Sequence, residues 1–78
     1  MNERDLVLHG AAIKRHAPAK AIGELVGLTE ARAIELLADA VATGRAVEAK
    51  GAYALTPLAG VALQSRYGLH YRHLRGDP

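Results

Sequence analysis

The stretch from Ala21 to Gly44 constrains the fold of this chain most, because it predicts two helices joined by a tight turn. Gly27 closes the first of these helices in the left-handed conformation, which glycine adopts at little cost. Thr29 caps the second, which runs to about Thr43 before Gly44 ends it. The spacing therefore predicts a helix-turn-helix.

The length and composition limit what surrounds this motif. The chain has 78 residues, and we predict a single domain over residues 1–78. It contains no cysteine, which excludes disulfides and thiolate metal sites and favours a reducing, cytoplasmic setting. No apolar run approaches the ~20 residues of a membrane span, so we expect no membrane insertion.

Two helices are predicted before the turn. Asn2 caps the first, over residues 2–16, and Pro18 starts the second, which ends at about Val26. Helical spacing then predicts which residues face the core. In the first helix these are Leu6, Gly10, Ile13 and Ala17, with Leu8 and Ala12 on the other side; in the third they are Ile34, Leu37, Ala38 and Val41.

After Gly44 the pattern alternates, which predicts a two-stranded hairpin. We expect one face to carry Val47, Ala49, Tyr53 and Leu55, with Glu48 and Ala54 on the other. That arrangement requires a three-residue turn over residues 50–52, because a two-residue turn would place Val47 and Tyr53 on opposite faces.

Thr56 and Pro57 predict the start of a last helix, which has two apolar stripes. The core stripe is Leu58, Val61, Ala62, Ser65 and Leu69, and the second stripe is Leu63, Tyr67, His70 and Leu74. We interpret the second as a dimer interface with another copy of the chain. The alternatives are a helix that packs back over Leu8 and Ala12, or, because Gly68 disfavours helix, a frayed tail over residues 69–78.

The sequence resembles the winged helix-turn-helix domains of MarR-type regulators. The matching segments are Gly27-Leu28-Thr29 at the turn, Gly44 before the hairpin, and Tyr53-Ala54-Leu55-Thr56 followed by Gly60. The resemblance implies a mainly α fold with a three-helix core, a two-stranded β-hairpin wing and a C-terminal helix.

The resemblance also implies that the third helix enters the major groove of double-stranded DNA and that the wing touches its backbone. The implied DNA contacts are Thr29, Arg32, Arg45 and Lys50. The implied groove-facing positions are Thr29, Glu30, Arg32, Ala33, Glu35, Leu36 and Asp39. We therefore predict a DNA-binding transcriptional regulator domain.

Three acids on that helix favour an alternative, a protein-interaction or regulatory winged helix, including one that belongs to a larger protein. Bases are read chiefly by Arg, Lys, Asn and Gln, and this helix offers only Arg32. Arg32 is also spaced to pair with Glu35. Leu36 is either a core residue beside Leu37, which we favour, or part of a surface for a protein partner.

No pattern in the chain predicts catalysis. The chain has no glycine-rich phosphate loop and no suggestive spacing of Ser, His and acid, so we predict no enzyme activity and no cofactor. His70 and His73 share one side of a helix, but the only nearby carboxylate is that of Asp77, so we predict no metal site.

Overall fold

A computed structural model describes residues 1–69, and it is mainly helical with a small antiparallel sheet. The predicted order of four helices and one hairpin is confirmed. The elements are α1 (Glu3–Lys14), α2 (Ala19–Val26), α3 (Glu30–Ala42), β1 (Ala46–Ala49), β2 (Ala52–Leu55) and α4 (Pro57–Tyr67). No helix among residues 1–69 has the length and apolar character needed to cross a membrane.

Side-chain caps begin three of the helices. The Asn2 Oδ1 accepts from the backbone N–H of Asp5 at 2.8 Å, and the Thr29 Oγ1 accepts from that of Arg32 at 3.1 Å. The Thr56 side chain caps α4 in the same way. These bonds satisfy N–H groups that have no partner within the helix.

The turn between α2 and α3 depends on two glycines. Gly27 has φ 79°, and its left-handed conformation ends α2 as predicted. A Cβ on Gly23 would lie 2.8 Å from the carbonyl oxygen of Leu28 and 3.3 Å from the Cβ of Ala33. Gly23 therefore permits the close approach of α2 to the turn and to α3.

Helix α1 is buried on two sides and separates two apolar clusters. On one side it packs with α2 and α3 through Val7 and Ala11, and on the other with the hairpin and α4 through Leu8 and Ala12. The first cluster contains Val7, Ala11, Ala17, Ala19, Ile22, Ala33, Leu36 and Leu37. The second contains Leu8, Ala12, Ala40, Ala46, Leu55, Ala59 and Leu63.

The predicted core stripe of α1 is therefore wrong in part. Ile13 is 51% exposed and Leu6 is half-buried, whereas Leu8 and Ala12 are buried. The physical reason is that α4 and the hairpin cover the side that the prediction left open. The alternative in which the last helix packs over Leu8 and Ala12 is confirmed.

The predicted stripe of α3 is displaced around the helix axis. Ala33, Leu36, Leu37 and Ala40 are buried, while Ile34, Ala38 and Val41 face solvent. Successive residues of a helix are 100° apart around its axis. A predicted stripe that is shifted by one residue therefore points more than a quarter of a turn away from the buried face. The expectation that Leu36 is a core residue is confirmed.

The hairpin turn is shorter than predicted. Ala49 pairs with Ala52, which leaves Lys50 and Gly51 as the two turn residues, with φ values of 53° and 81°. Positive φ at both positions is typical of the type I′ turn, whose twist suits a two-residue hairpin. Val47 and Tyr53 consequently lie on opposite faces, and Val47 is 54% exposed.

A residue between α1 and α2 extends the sheet. The backbone of Ala17 forms an antiparallel bridge with Tyr53, through hydrogen bonds of 3.2 and 2.8 Å in which each residue donates to the other. This bridge occupies the edge of β2 that β1 leaves free. It fixes the α1–α2 connection beside the hairpin.

The predicted core stripe of α4 is wrong at four of its five positions. Only Leu69 packs against the second cluster, whereas Leu58, Val61, Ala62 and Ser65 are exposed. Leu63 is fully buried in the second cluster, whereas Leu58 is 81% exposed. At the other end of α4, Arg66 and the Tyr67 hydroxyl both donate to the Asp5 carboxylate, which is only 4% exposed. Asp5 therefore anchors α4 to α1.

We expect Leu63→Ala to lower the free energy of unfolding by about 2–5 kcal/mol, because it leaves a cavity in the second cluster. Leu58→Ala removes the same atoms from an exposed site, and we expect a change within about 0.5 kcal/mol. Urea denaturation followed by circular dichroism compares the two. Equal losses would contradict the placement of α4.

We expect wild-type stability to fall above pH 10 more steeply than that of Tyr67→Phe. The hydrogen bond to Asp5 is the main cause that raises the pKa of Tyr67 above its ordinary value of 10.0. The unfolded chain ionises first, so this contribution is present below pH 10 and is lost as the pH rises through the folded-state value. Urea midpoints at pH 8 and above pH 10 test this, and parallel losses in both proteins would contradict it.

Candidate nucleic-acid interface

Arg32 is held by two carboxylates of its own chain. Its Nε donates to the Glu3 Oε1 at 3.0 Å, and its Nη1 donates to the Glu35 Oε2 at 2.9 Å. The bond to Glu35, followed by the bond to Glu3, raises the pKa of the Arg32 guanidinium. A contact from Arg32 to a base or a phosphate would have to compete with these two carboxylates.

Arg45 is held in the same manner. Its Nη2 donates to the Asp39 Oδ2 at 2.7 Å, and its Nε donates to the Thr43 Oγ1 at 2.8 Å. Arg4 also lies 3.5 Å from the same Asp39 oxygen. Arg45 therefore lies against the end of α3 in an intrachain network.

These ion pairs form a surface in which the charges cancel. Its cations are Arg4, Arg32 and Arg45, and its carboxylates are Glu3, Glu35 and Asp39. Exposed pairs of this kind contribute little to stability. Affinity for DNA depends largely on unpaired cations that displace counterions from the phosphates. This surface therefore contributes little to the electrostatic part of that affinity.

Outside the ion-pair network, the outward face of α3 carries the Glu30 carboxylate in its first turn and is apolar beyond it. Ala31, Ile34, Ala38 and Val41 are exposed and recur at helical spacing. Of the groove-facing positions that the resemblance implies, Ala33 and Leu36 are buried and cannot reach a ligand. The other five expected positions are exposed: Thr29, Glu30, Arg32, Glu35 and Asp39.

Lys50 and Thr29 keep the exposed positions that were expected of them. Lys50 stands at the hairpin tip and forms no ion pair with another described residue. Thr29 stands at the start of α3, with its hydroxyl oxygen accepting from the backbone of Arg32. Of the three cations predicted to contact DNA, only Lys50 forms no ion pair among residues 1–69, although the Glu48 carboxylate lies at the same turn and accepts from the Gly51 N–H at 3.2 Å.

Four further basic side chains flank Ala17, the residue that pairs with the hairpin strand β2. Lys14, Arg15 and His16 precede Ala17, and Lys20 follows it in the first turn of α2; all four are exposed. Because Ala17 pairs with Tyr53, this segment runs beside the strand that leaves the hairpin tip. We call these residues, with Lys50, the basic edge.

The basic edge is distinct from the neutral network. None of Lys14, Arg15, Lys20 and Lys50 forms an ion pair with another residue among 1–69, whereas Arg4, Arg32, Arg45 and Arg66 all do. The backbone of Arg15 has a positive φ of 69°, with ψ −49°, which is uncommon for a residue other than glycine. The sequence signal was the run of residues 14–16, but the bridge that brings it to the hairpin depends on tertiary contacts.

The predicted dimer face does not form a single surface in the described residues. Leu63 lies in the core, and the Tyr67 hydroxyl donates to Asp5. His70 and Leu74 lie outside the described residues, as does the tail expected to be frayed beyond Leu69. A dimer through these four residues stays a prediction, and Leu63 is unavailable for it in this fold.

Within residues 1–69, no group of three or more His, Cys, Asp or Glu side chains is placed to hold a metal ion. His70 and His73, the pair considered above, lie outside that range.

No protein-family model matches this chain, and neither a curated protein nor a solved structure is significantly similar to it.

Proposed function

We propose that this chain is a winged helix-turn-helix domain of a regulator that binds double-stranded DNA. The order of helix, short edge strand, helix, turn, helix, hairpin and closing helix supports the winged-helix assignment. In this proposal the hairpin is the wing, and α2 and α3 are the helix-turn-helix. The fold by itself does not imply the function, which we argue from the charged side chains.

The basic edge carries the proposal. In helix-turn-helix complexes the first helix of the motif crosses the phosphate backbone while the second enters the major groove. Lys20 is in the first turn of α2, and Lys50 is at the tip of the wing. Unpaired cations at these two places suit contacts with successive phosphates, which supply most of the non-specific affinity for DNA.

Base recognition by α3 is weak in this proposal. The outward side chains Ala31, Ile34 and Ala38 offer no hydrogen bond to a base edge, and Arg32 is bound to two carboxylates. Small apolar side chains permit close approach in the major groove and contact with thymine methyl groups. We therefore propose that contacts with the phosphate backbone of DNA dominate the binding and that the preference for particular base sequences is low.

We expect Lys20→Ala and Lys50→Ala each to weaken binding to mixed-sequence duplex DNA and to reduce the slope of log K against log salt by about 0.9. The double variant Arg32→Ala/Glu35→Ala is the matched control, because it removes one cation and one carboxylate of the neutral network together. We expect it to change the slope little. Fluorescence anisotropy at about 50 and 200 mM salt measures all three variants.

Two results would contradict this assignment. One is the absence of binding at low salt by the wild-type chain. The other is a larger loss from Arg32→Ala/Glu35→Ala than from either lysine variant, which would return the interface to the residues expected from sequence.

A protein-interaction module is the second candidate, and the exposed apolar stripe of α3 favours it. Such a stripe suits the apolar face of a partner helix at least as well as it suits DNA. Under the DNA proposal, Ile34→Glu places a carboxylate in the groove, and we expect it to weaken duplex binding at least as much as Lys50→Ala. If Ile34→Glu binds DNA like the wild type, α3 lies outside the groove and its stripe is available to a protein.

A further inference from the structure

A cavity of about 210 Å³ lies on the side of α4 that faces the end of α3. Its floor is formed by Leu8 and Ala59, which are buried, and its walls include Leu58 and Ala62, which are exposed. The cavity opens to solvent, and most of its surface is apolar. For comparison, an apolar cavity of about 150 Å³ accommodates benzene.

Two arginines line the same cavity, although they are distant in sequence. Arg45 comes from the start of the hairpin, and Arg66 comes from the last turn of α4. Arg45 is oriented by Asp39 and Thr43, and Arg66 by a hydrogen bond of 2.6 Å to the buried Asp5. Each side chain is therefore held in place without a ligand.

Both guanidiniums keep unused hydrogen-bond donors. Arginine has five N–H donors. Arg66 donates through Nη1 to Asp5, and Arg45 donates through Nε and Nη2, with no described residue accepting from their remaining N–H groups. Preoriented guanidinium donors suit a carboxylate.

The charged side chains that line the cavity are both cationic. Arg45 and Arg66 line it, whereas the aspartates that pair with them, Asp39 and Asp5, do not. A carboxylate in the cavity would therefore meet guanidinium groups and no acid in the lining.

We propose that this cavity binds a small amphiphile with one carboxylate and an apolar tail of four to six carbons. The tail occupies the space over Leu8 and Ala59, and the carboxylate accepts from Arg45 and Arg66. Two sources share this chemistry, a free short-chain acid and the carboxyl-terminal residue of a peptide. The proposal does not depend on DNA binding.

The test is a titration of the isotope-labelled full chain with hexanoate, followed by two-dimensional NMR. We expect saturable shifts at the cavity residues, with a Kd on the order of 1 mM for a ligand of this size. Hexanol and hexylammonium carry the same tail without the anion, and we expect each to bind at least about tenfold more weakly. Equal binding of hexanol and hexanoate, or no saturable shifts with hexanoate or the peptide acid described below, would overturn the proposal.

Two variants locate the site without disturbing the ion pairs. Ala62→Leu places a larger side chain in the cavity from an exposed position, so we expect it to fold and to weaken hexanoate binding about tenfold or more. Ser65→Leu is the matched control, because Ser65 is an exposed residue of α4 that does not line the cavity. Unchanged binding by Ala62→Leu would place the ligand elsewhere and overturn the assignment.

A short acetylated peptide that ends in leucine distinguishes the two sources. If the peptide acid binds more tightly than hexanoate, and its carboxamide form does not bind, the site recognises a peptide carboxyl terminus. If hexanoate binds more tightly, the site recognises a free acid. Both results support a carboxylate with an apolar tail, whereas equal binding of the peptide acid and its carboxamide contradicts it.

Discussion

The burial of α1 on two sides is the constraint on which the rest of the structure depends. Val7 and Ala11 pack with α2 and α3, while Leu8 and Ala12 pack with the hairpin and α4. A domain of this size buries a modest fraction of its surface, and a shared helix lets two small clusters support each other. Loss of either cluster would expose one side of α1, so we expect the two clusters to unfold together.

The charges divide into two groups with different consequences. Carboxylates from α1 and α3 neutralise the arginines around α3, whereas the lysines beside the Ala17–Tyr53 bridge have no acid partner among residues 1–69. Electrostatic attraction for a polyanion therefore originates at the basic edge and not along α3. This division is the reason that the proposed DNA contacts differ from those the family resemblance implies.

Periodicity predicted the helices better than it predicted their buried faces. In α3 and α4 many residues are alanine or another apolar type, so more than one stripe fits the helical repeat, and α4 buries Ala59, Gly60 and Leu63 instead of most of the predicted core stripe. Leu63 and Leu58 have the same side chain and differ only in what lies opposite them. The predicted length of the hairpin turn was wrong for a related reason. It rested on the expectation that Val47 and Tyr53 share a face of the sheet. The positive φ of Lys50 and Gly51 shows that the turn decided the register instead.

The sequence by itself determined where the helices begin and end. Caps such as Asn2 and Thr29 and a terminator such as Gly27 act on neighbouring backbone groups, so their effect is local and visible in the order of residues. Only the tertiary structure decided which faces are buried, which cations are neutralised, and that Arg45 and Arg66 line one cavity. Those outcomes depend on residues far apart in the chain that meet only when α1 is enclosed on both sides.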